Sequence, residues 1–408
     1  MFSVKELAFI FAILFQIHAF GQLGLTAYYP LDDCSLDDQV GGFDGFILGN
    51  LCTCGALSNG LELNGNNFGD FNIGLNSVFE EDYTISFYAS FDMSVTMSMD
   101  IFSLAKTCNN DTALLIRYIP DFNLLRIRFS DSPDNRIELS ATIDNPQCWN
   151  YIALSVERST GTLYINNSLA DEQSAISDFS FDPPNDVNFA LGDSPCVGIP
   201  IAGDTRFTGR IDELSIYNRA LTRREIQQED FRPDQLLIGD TTIFVGEPIL
   251  LPTGQICSSD FVWSPTTGLS DPNSPTPTAN PPLGSTTYTL TINDGACVST
   301  DDVTINVVSR EQVQCSDLAL PNTFTPNGDG INDLFGISNQ FLIDELISFE
   351  IFDKWGGRVF LTTMANGLWN GERLDNQIEV GNSSYVYKVS YICEGETNVK
   401  SGVVNVLR

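Results

Sequence analysis

Apolar and polar residues alternate with a period of two along much of this chain. Tyr83, Ile85, Phe87, Ala89 and Phe91 alternate with Thr84, Ser86, Tyr88 and Ser90, and Leu125, Ile127 and Phe129 alternate with Arg126 and Arg128. Ile152, Leu154 and Val156 continue the theme after Trp149, and Leu163 and Ile165 follow a Thr160-Gly161 turn. Successive side chains of a strand point to opposite faces, so this period predicts β-strands with one face in a core. Clusters of Gly, Asn, Asp and Pro separate the runs. Over residues 22–230 the spacing predicts an antiparallel double-sheet sandwich or jelly roll. A short helix is predicted from Thr222, where Glu225 three residues on makes a capping box.

The alternation continues in two further stretches. Residues 231–310 hold short apolar runs at Ile243–Val245 and Ile249–Leu251, then Phe261-Val-Trp-Ser-Pro, a Pro-rich run from Pro272 to Pro282, and alternating strands at 286–292 and 303–308. Short strands over this length suit an immunoglobulin-like sandwich, with the prolines in a loop because Pro cannot join a strand ladder. In residues 311–408, Ile347, Phe349 and Ile351 alternate with Ser348 and Glu350, and Tyr385, Tyr387, Val389, Tyr391 and Cys393 share one strand face. The stretch opens with Pro321-Asn-Thr-Phe-Thr-Pro-Asn-Gly-Asp-Gly-Ile-Asn-Asp-Leu-Phe335. That run is a loop with an aromatic anchor at each end, its glycines supplying backbone freedom.

Composition narrows the function classes. The chain has 20 Lys plus Arg against 53 Asp plus Glu, a formal net charge of −33. Such a polyanion repels nucleic acid and anionic lipid, so partners recognised through phosphates are excluded. The only histidine is His18. It lies in a predicted secretory signal over residues 1–21, made of Lys5, an apolar core from Leu7 to Phe15 and small residues in Ala19-Phe20-Gly21. Cleavage before Gln22 leaves a mature chain without histidine, which excludes Ser-His-Asp and Cys-His catalysis and histidine-metal sites. No Cys closely follows the cleavage point, which argues against a lipoprotein anchor, and no later segment has transmembrane length.

Ten cysteines in an exported chain predict disulfides. Cys257 pairs with Cys297 inside one expected domain and Cys315 with Cys393 inside another, each closing a long loop worth roughly 4 kcal/mol on the chain-entropy model. Cys34, Cys52, Cys54, Cys108, Cys148 and Cys196 remain. The expected pairs there are Cys108 with Cys148, and Cys34 with Cys52 or Cys54.

Asp212 stands out within Phe207-Thr-Gly-Arg-Ile-Asp-Glu-Leu-Ser-Ile-Tyr-Asn-Arg-Ala-Leu221, because strict alternation puts it on the face of Leu214 and Ile216. A carboxylate there needs partners. Two readings stay open: a Ca²⁺ ligand with Asp37 and other oxygens of the Asp37–Gly42 loop, or an acceptor of backbone or hydroxyl hydrogen bonds. Tyr28, Tyr88, Tyr118 and Phe122 are candidates to stack on sugar rings. A glycosidase needs two carboxylates flanking one cleft, and no Glu-x-Asp-x-x-Glu spacing supplies them.

Residues 207–221, with Ala27-Tyr-Tyr-Pro-Leu-Asp32, Gly41-Gly42 and Gly60-Leu-Glu-Leu-Asn-Gly65, resemble the laminin-G-like, concanavalin A-like jelly rolls. The resemblance implies a fold that binds carbohydrate or protein, often with a structural Ca²⁺. The Trp-Ser-Pro, Thr-Thr-Tyr and late Cys positions of residues 231–310 resemble PKD-like and Ig-like repeats of exported Bacteroidetes proteins, and imply a spacer.

The C-terminal order is Pro321, Asn322, Phe324, Thr325, Pro326, Asn327, Gly328, Asp329, Gly330, Asn332, Asp333 and Phe335, then Trp355-Gly356, Trp369 with Gly371, Tyr385 with Tyr387, and Arg408. It resembles the type B C-terminal sorting domain of the type IX secretion system, also called the gliding-motility-associated C-terminal domain. Asp353-Lys354 stands where that family has Asn-Arg. Asn327, Asp329 and Asp333 also have the spacing of EF-hand ligands, but Thr325 and Gly336 occupy the positions that need a charged start and a bidentate Glu. The expected protein is all-β: a signal peptide (1–21), a concanavalin A-like jelly roll (22–230) and two immunoglobulin-like β-sandwich domains, a spacer (231–310) and a sorting domain (311–408). Expected partners are the type IX secretion machinery and a glycan or cell-surface protein. The expected location is the outer-membrane surface or the medium.

Overall fold

The structure, a computed structural model, describes residues 23–408 apart from 50, 109–111, 180, 183–185, 200–203, 296, 328–331 and 375–379. The expected signal peptide and the sorting-run residues Gly328, Asp329 and Gly330 lie outside the described residues. The chain is almost wholly β and forms two compact units. The first runs through Leu237 and adds residues 253–262 and 290–301; the second comprises 238–252, 263–289 and 302–408.

The first unit is a jelly-roll sandwich of two eight-stranded sheets. One sheet runs Ser168–Ser174, Thr160–Ile165, Asn150–Glu157, Tyr83–Phe91, Thr208–Tyr217, Asn59–Asn64, Cys52–Cys54, with Leu25–Tyr29 also paired to Thr208–Tyr217. The other runs Arg136–Thr142, Leu124–Ser130, Ala113–Ile119, Ser98–Ala105, Ala190–Leu191, Phe68–Asp70, Phe46–Leu48, with Asp204–Arg206 parallel to Ser98–Ala105. The alternating apolar residues make the core: Ile85, Phe87, Ala89, Ile127, Ile152, Leu154 and Leu163 are all buried in one cluster. Each such Ile or Leu contributes about 1.5–3 kcal/mol.

The polar half of the central strand is also buried. Thr84, Ser86, Tyr88 and Ser90 are closed to solvent because a second apolar cluster covers that face. It is built from Tyr88, Trp149, Tyr151, Tyr217, Leu221 and Ile226. Ile226 belongs to the helix Arg223–Gln228, which starts at the capping box expected from Thr222 and Glu225. The Thr84 hydroxyl accepts from Leu221 N–H at 2.9 Å and donates to Arg219 O at 2.9 Å, which holds the chain entering that helix against the sheet. In the second sheet Arg117 holds two buried carboxylates at once, Asp100 at 2.6 Å and Asp204 at 2.7 Å.

Five disulfides close the chain, and two expected pairs are corrected. Cys108 is bonded to Cys196, not Cys148. Cys257 and Cys297 are not bonded to each other: Cys257 bonds Cys54, and Cys297 bonds Cys148. The physical reason is that residues 253–262 and 290–301 pack as part of the first unit, so their cysteines meet partners there. Backbone pairing supports the same placement, with Asp234 N–H donating to Gln255 O at 2.9 Å and Gly254 N–H to Gln235 O at 2.9 Å. Cys34 is bonded to Cys52. Trp263, expected against a Cys257–Cys297 bridge, is buried with its Nε1–H donating to Ser274 O at 3.0 Å.

The second unit contains a five-stranded sheet ordered Thr323–Phe324, Glu396–Val406, Ser383–Cys393, Glu345–Phe352, Arg358–Thr362. In the same unit Thr241–Phe244 runs parallel to the end of Cys297–Val308, with Thr241 opposite Ile305. The sorting-motif aromatics other than Trp355 form the core. Phe324 lies 5.7 Å from Phe335 and 5.2 Å from Trp369, Phe335 lies 5.8 Å from Tyr387, and Trp369 lies 5.3 Å from Tyr385, all between ring centroids. Phe335 and Trp369 exchange backbone hydrogen bonds at 2.8 and 2.9 Å. Thr325 N–H donates to Asn332 O at 2.8 Å and Asn327 N–H to Asp333 Oδ1 at 3.0 Å, closing the opening turn from inside. Buried Pro326 packs at Gly371, whose carbonyl accepts from Arg408 at 3.3 Å. Pro321 and Asn322 are exposed, though Asn322 O accepts from Asn405 N–H at 2.9 Å. Trp355 is 84% exposed at the tip of a turn with Gly356 at φ +81. Cys315 and Cys393 are bonded.

Candidate functional site

Strand Thr208–Tyr217 carries the irregularity that builds the site. Asp212 lies opposite Tyr88, but Ser215 lies opposite Ser86, so three steps on one strand match two on its neighbour. Glu213 takes up the extra residue with φ +54. The bulge resets the parity. Asp212, Ser215 and Tyr217 share the face of Tyr88 and Ser86, while Leu214 and Ile216 point into the core. The expectation that Asp212 shares a face with Leu214 and Ile216 is therefore corrected, because the bulge removes the conflict that strict alternation implies.

Asp212 is fully buried under the Gly55–Asn59 turn. Its Oδ2 accepts Leu57 N–H at 3.0 Å, and the N–H groups of Ala56 and Glu213 lie against the same carboxylate. A Cβ on Gly60 would sit 3.2 Å from Asp212 Cγ and 3.1 Å from Gly55 Cα, so this approach depends on glycine. Burial pushes the Asp212 carboxyl up to about 9 against the pull of its N–H donors.

Asp37 is exposed and forms no pair with Asp212. Its neighbour Asp38 organises the loop, accepting the N–H groups of Tyr28, Val40, Gly41 and Phe43 at 2.8–2.9 Å. Asp212 Oδ2 and both carboxylate oxygens of Asp38 accept backbone N–H groups. Among the described residues, Cys108, Cys196 and Asp204 bring three potential ligand atoms together, but those two sulfurs are bonded to each other.

The face that Asp212 joins forms the floor of a pocket of about 220 Å³. Tyr88 pairs across the strands with Tyr151, Tyr28 with Ser215, and Leu25 with Tyr217. These rows put Tyr28, Tyr88, Tyr151 and Tyr217 round one cavity, and Phe231, just after the helix, closes its side. Gln39, Val40 and Gln228 are exposed and form the mouth. The Asp37–Gly42 loop thus contributes Gln39 and Val40 to the pocket.

Tyrosine hydroxyls and carboxylates are interlocked here. Tyr28 donates to Glu213 at 2.6 Å and Tyr88 to Asp230 at 2.5 Å. Tyr88 in turn accepts Phe231 N–H at 2.6 Å, and Asn167 donates to Asp230 at 2.6 Å. Tyr217 is hydrogen-bonded to Glu229. Tyr88 and Tyr151 pack with centroids 5.0 Å apart. Burial pushes Glu213 up to about 7, with Asp32 and Glu229 adding repulsion while the Tyr28 hydroxyl opposes the rise. The phenols of Tyr28, Tyr88, Tyr151 and Tyr217 are raised far above the ordinary range by burial, so they stay protonated as donors.

Two of the aromatics expected to stack on sugars, Tyr28 and Tyr88, line this pocket. Tyr118 is a core residue stacked 4.0 Å from Phe91, and Phe122 stands 72% exposed on a separate turn. Sequence reasoning missed Tyr151, Tyr217, Phe231 and Glu213. The available signal was that Tyr151 stands next to core-facing Ile152 and Tyr217 next to core-facing Ile216, which puts both rings on the opposite, supposedly polar face.

Residues 65–227 match the family model described as the concanavalin A-like lectin/glucanases superfamily, and residues 318–406 match the type IX secretion signal domain. No curated protein matches the chain. Among solved structures, the chain resembles domain 4 of a GH43 extracellular arabinanase from Geobacillus stearothermophilus in complex with arabinotriose, at 25% identity and TM-score 0.38, covering 50% of this chain and 96% of that one. A Trypanosoma rangeli sialidase matches at 15% identity and TM-score 0.40, covering 50% of this chain and 32% of that one. The Ruminococcus gnavus sialidase CBM40 domain bound to α2,3-sialyllactose matches at 15% identity and TM-score 0.35, covering 41% and 94%. Likenesses of this size leave the function to the site's own geometry. Among the described residues, no helix is long and apolar enough to cross a membrane.

Proposed function

For a chain that carries a concanavalin A-like domain and a type IX secretion signal domain, we propose the role of an exported, non-enzymatic glycan-binding protein of the cell surface or medium. Its C-terminal domain engages the type IX secretion machinery, and its jelly roll holds one sugar residue in the tyrosine-lined pocket. The observation that carries this reading is the pocket itself. The half-buried Tyr28 and Phe231 rings offer apolar surface to the C–H side of a sugar over a floor of buried Tyr88, Tyr151 and Tyr217, while Glu213, Glu229 and the amides of Gln39 and Gln228 offer polar contacts at the edges.

A hydrolytic reading has one observation in its favour, the two carboxylates Glu213 and Glu229 in one cavity. The binding reading is preferred because each is already engaged by a tyrosine hydroxyl, Glu213 by Tyr28 and Glu229 by Tyr217. The test is a glycan array with the full-length protein and with Val40→Trp, which blocks the mouth from a half-exposed position. Binding to a defined glycan is expected, and it is lost in the variant at unchanged melting temperature. Absence of any glycan signal, equal binding by the variant, or release of reducing ends from a bound polysaccharide would each overturn the reading.

A further inference from the structure

We propose that the sugar seated in this pocket is an amino sugar, recognised through its protonated amine. The inference rests on the glycan reading and narrows its substrate class.

Charge is the first argument. Among the described residues, the charged ones lining the cavity are Glu213 and Glu229, and no lysine or arginine lines it. The groups acting on its buried members from neighbouring elements have the same sign: Asp32 and Asp212 on Tyr28, Asp230 on Tyr88 and Tyr151. An acidic sugar would enter against this field, and a neutral one would gain nothing from it.

The second argument is the missing counter-ion. Among the described residues, every other deeply buried carboxylate in this unit has an answer. Asp100 and Asp204 share Arg117, Asp234 feels the Arg210 guanidinium, and Asp212 faces backbone N–H groups. Glu213 is 5% exposed and has the Tyr28 hydroxyl, a neutral donor, as its hydrogen-bond partner. Burial without an opposite charge disfavours the ionised form of this carboxyl, and a cation delivered by a ligand favours it.

Ring chemistry is the third. An ammonium group has three donors and no acceptor. The hydroxyls of Tyr28, Tyr88 and Tyr217 are committed to carboxylates, so they are not free to donate to a ligand, and Glu213 and Glu229 stand as charged acceptors in the cavity. That set matches an ammonium, which aromatic faces also attract.

The experiment titrates full-length protein at about pH 7 with a disaccharide of free-amine glucosamine, its N-acetylated counterpart, cellobiose and a uronic-acid disaccharide. Small ligands limit non-specific attraction to the protein's net charge of −33. The free-amine sugar is expected to bind roughly tenfold or more tighter than the N-acetylated form. Glu213→Gln is expected to erase that preference, and if this variant fails to fold, Val40→Trp must abolish amine binding. Equal or tighter binding of the acetylated, neutral or acidic sugar sinks the amine inference and leaves the glycan reading standing. Binding to none of them sinks the amine inference and counts against the glycan reading. An amine preference that survives both substitutions, or tighter binding of Nα-acetyl-lysinamide than of the amino sugar, overturns the proposal by pointing to bulk charge or to a protein ligand.

Discussion

The Tyr28 hydroxyl donates to the Glu213 carboxylate at 2.6 Å across 185 residues of sequence. It joins the first strand of the sandwich to the bulge in its last, and Glu213 sits on that bulge with little access to water. Tyr28→Phe keeps the ring and removes this donor. Leaving the carboxylate without it is expected to cost about 1–3 kcal/mol of stability, read from urea unfolding. An unchanged midpoint would mean that water replaces the hydroxyl and that the contact is unimportant to the fold.

Asp212 and Glu213 give the protein a defined pH response. Both are raised by burial, to about 9 and about 7, and Asp234 is raised to about 6 in the same way. A carboxyl raised on folding binds its proton more tightly in the native state than in the unfolded chain, where it titrates near about pH 4. Its contribution to stability is full below that value and is lost as pH rises through the folded values. The denaturation midpoint is therefore expected to fall between about pH 5 and about pH 9, with Asp212→Asn flattening the upper part of the slope. A midpoint that rises over this interval, or an unaltered slope in the variant, would contradict the assignment.

Arg117 reaches Asp100 and Asp204, both nearly closed to solvent. Arg117→Met leaves two buried carboxylates without their cation and is expected to destabilise by about 3–5 kcal/mol. Converting both acids to Asn in the same chain should recover most of the loss. Failure of that rescue would show that the arginine acts through packing alone.

Peptide mapping without reductant is expected to find Cys54 joined to Cys257 and Cys148 joined to Cys297. A peptide linking Cys257 directly to Cys297 would refute the placement of residues 253–262 and 290–301 in the first unit.

The strands were legible in the sequence because a period of two survives wherever a ladder is regular: the core faces of Tyr83–Phe91 and Leu124–Ser130 follow their alternation residue by residue. Legibility ended at irregularities. One bulged residue, Glu213, shifted the parity of Asp212, and strict alternation read straight through the adjacent polar pair Asp212-Glu213 where the register slips. The sorting motif was legible as a motif, and its aromatics other than Trp355 make one core, but Gly328, Asp329 and Gly330 at its centre lie outside the described residues. The pocket was half legible. Tyr28 and Tyr88 could be named as aromatics on a mixed face, whereas Tyr151, Tyr217 and Phe231 converge on them only through strand order, which composition does not carry. Cysteine pairing held for Cys315 with Cys393 and Cys34 with Cys52 but failed for Cys257 with Cys297, because nearness along the chain is a poor guide when a segment packs with a different unit.

The bond between Cys148 and Cys297 has a consequence for how the chain survives attack. Asp271, Asn273, Pro275 and Thr276 are exposed between Cys257 and Cys297, in a stretch where a protease finds open backbone. A cut there separates the polypeptide into two pieces, yet Cys297 on the later piece stays bonded to Cys148 on the earlier one. The nicked protein would migrate as a single species on a gel without reductant and as two with it. A sorting domain clipped in this way would stay leashed to its cargo until a thiol released it.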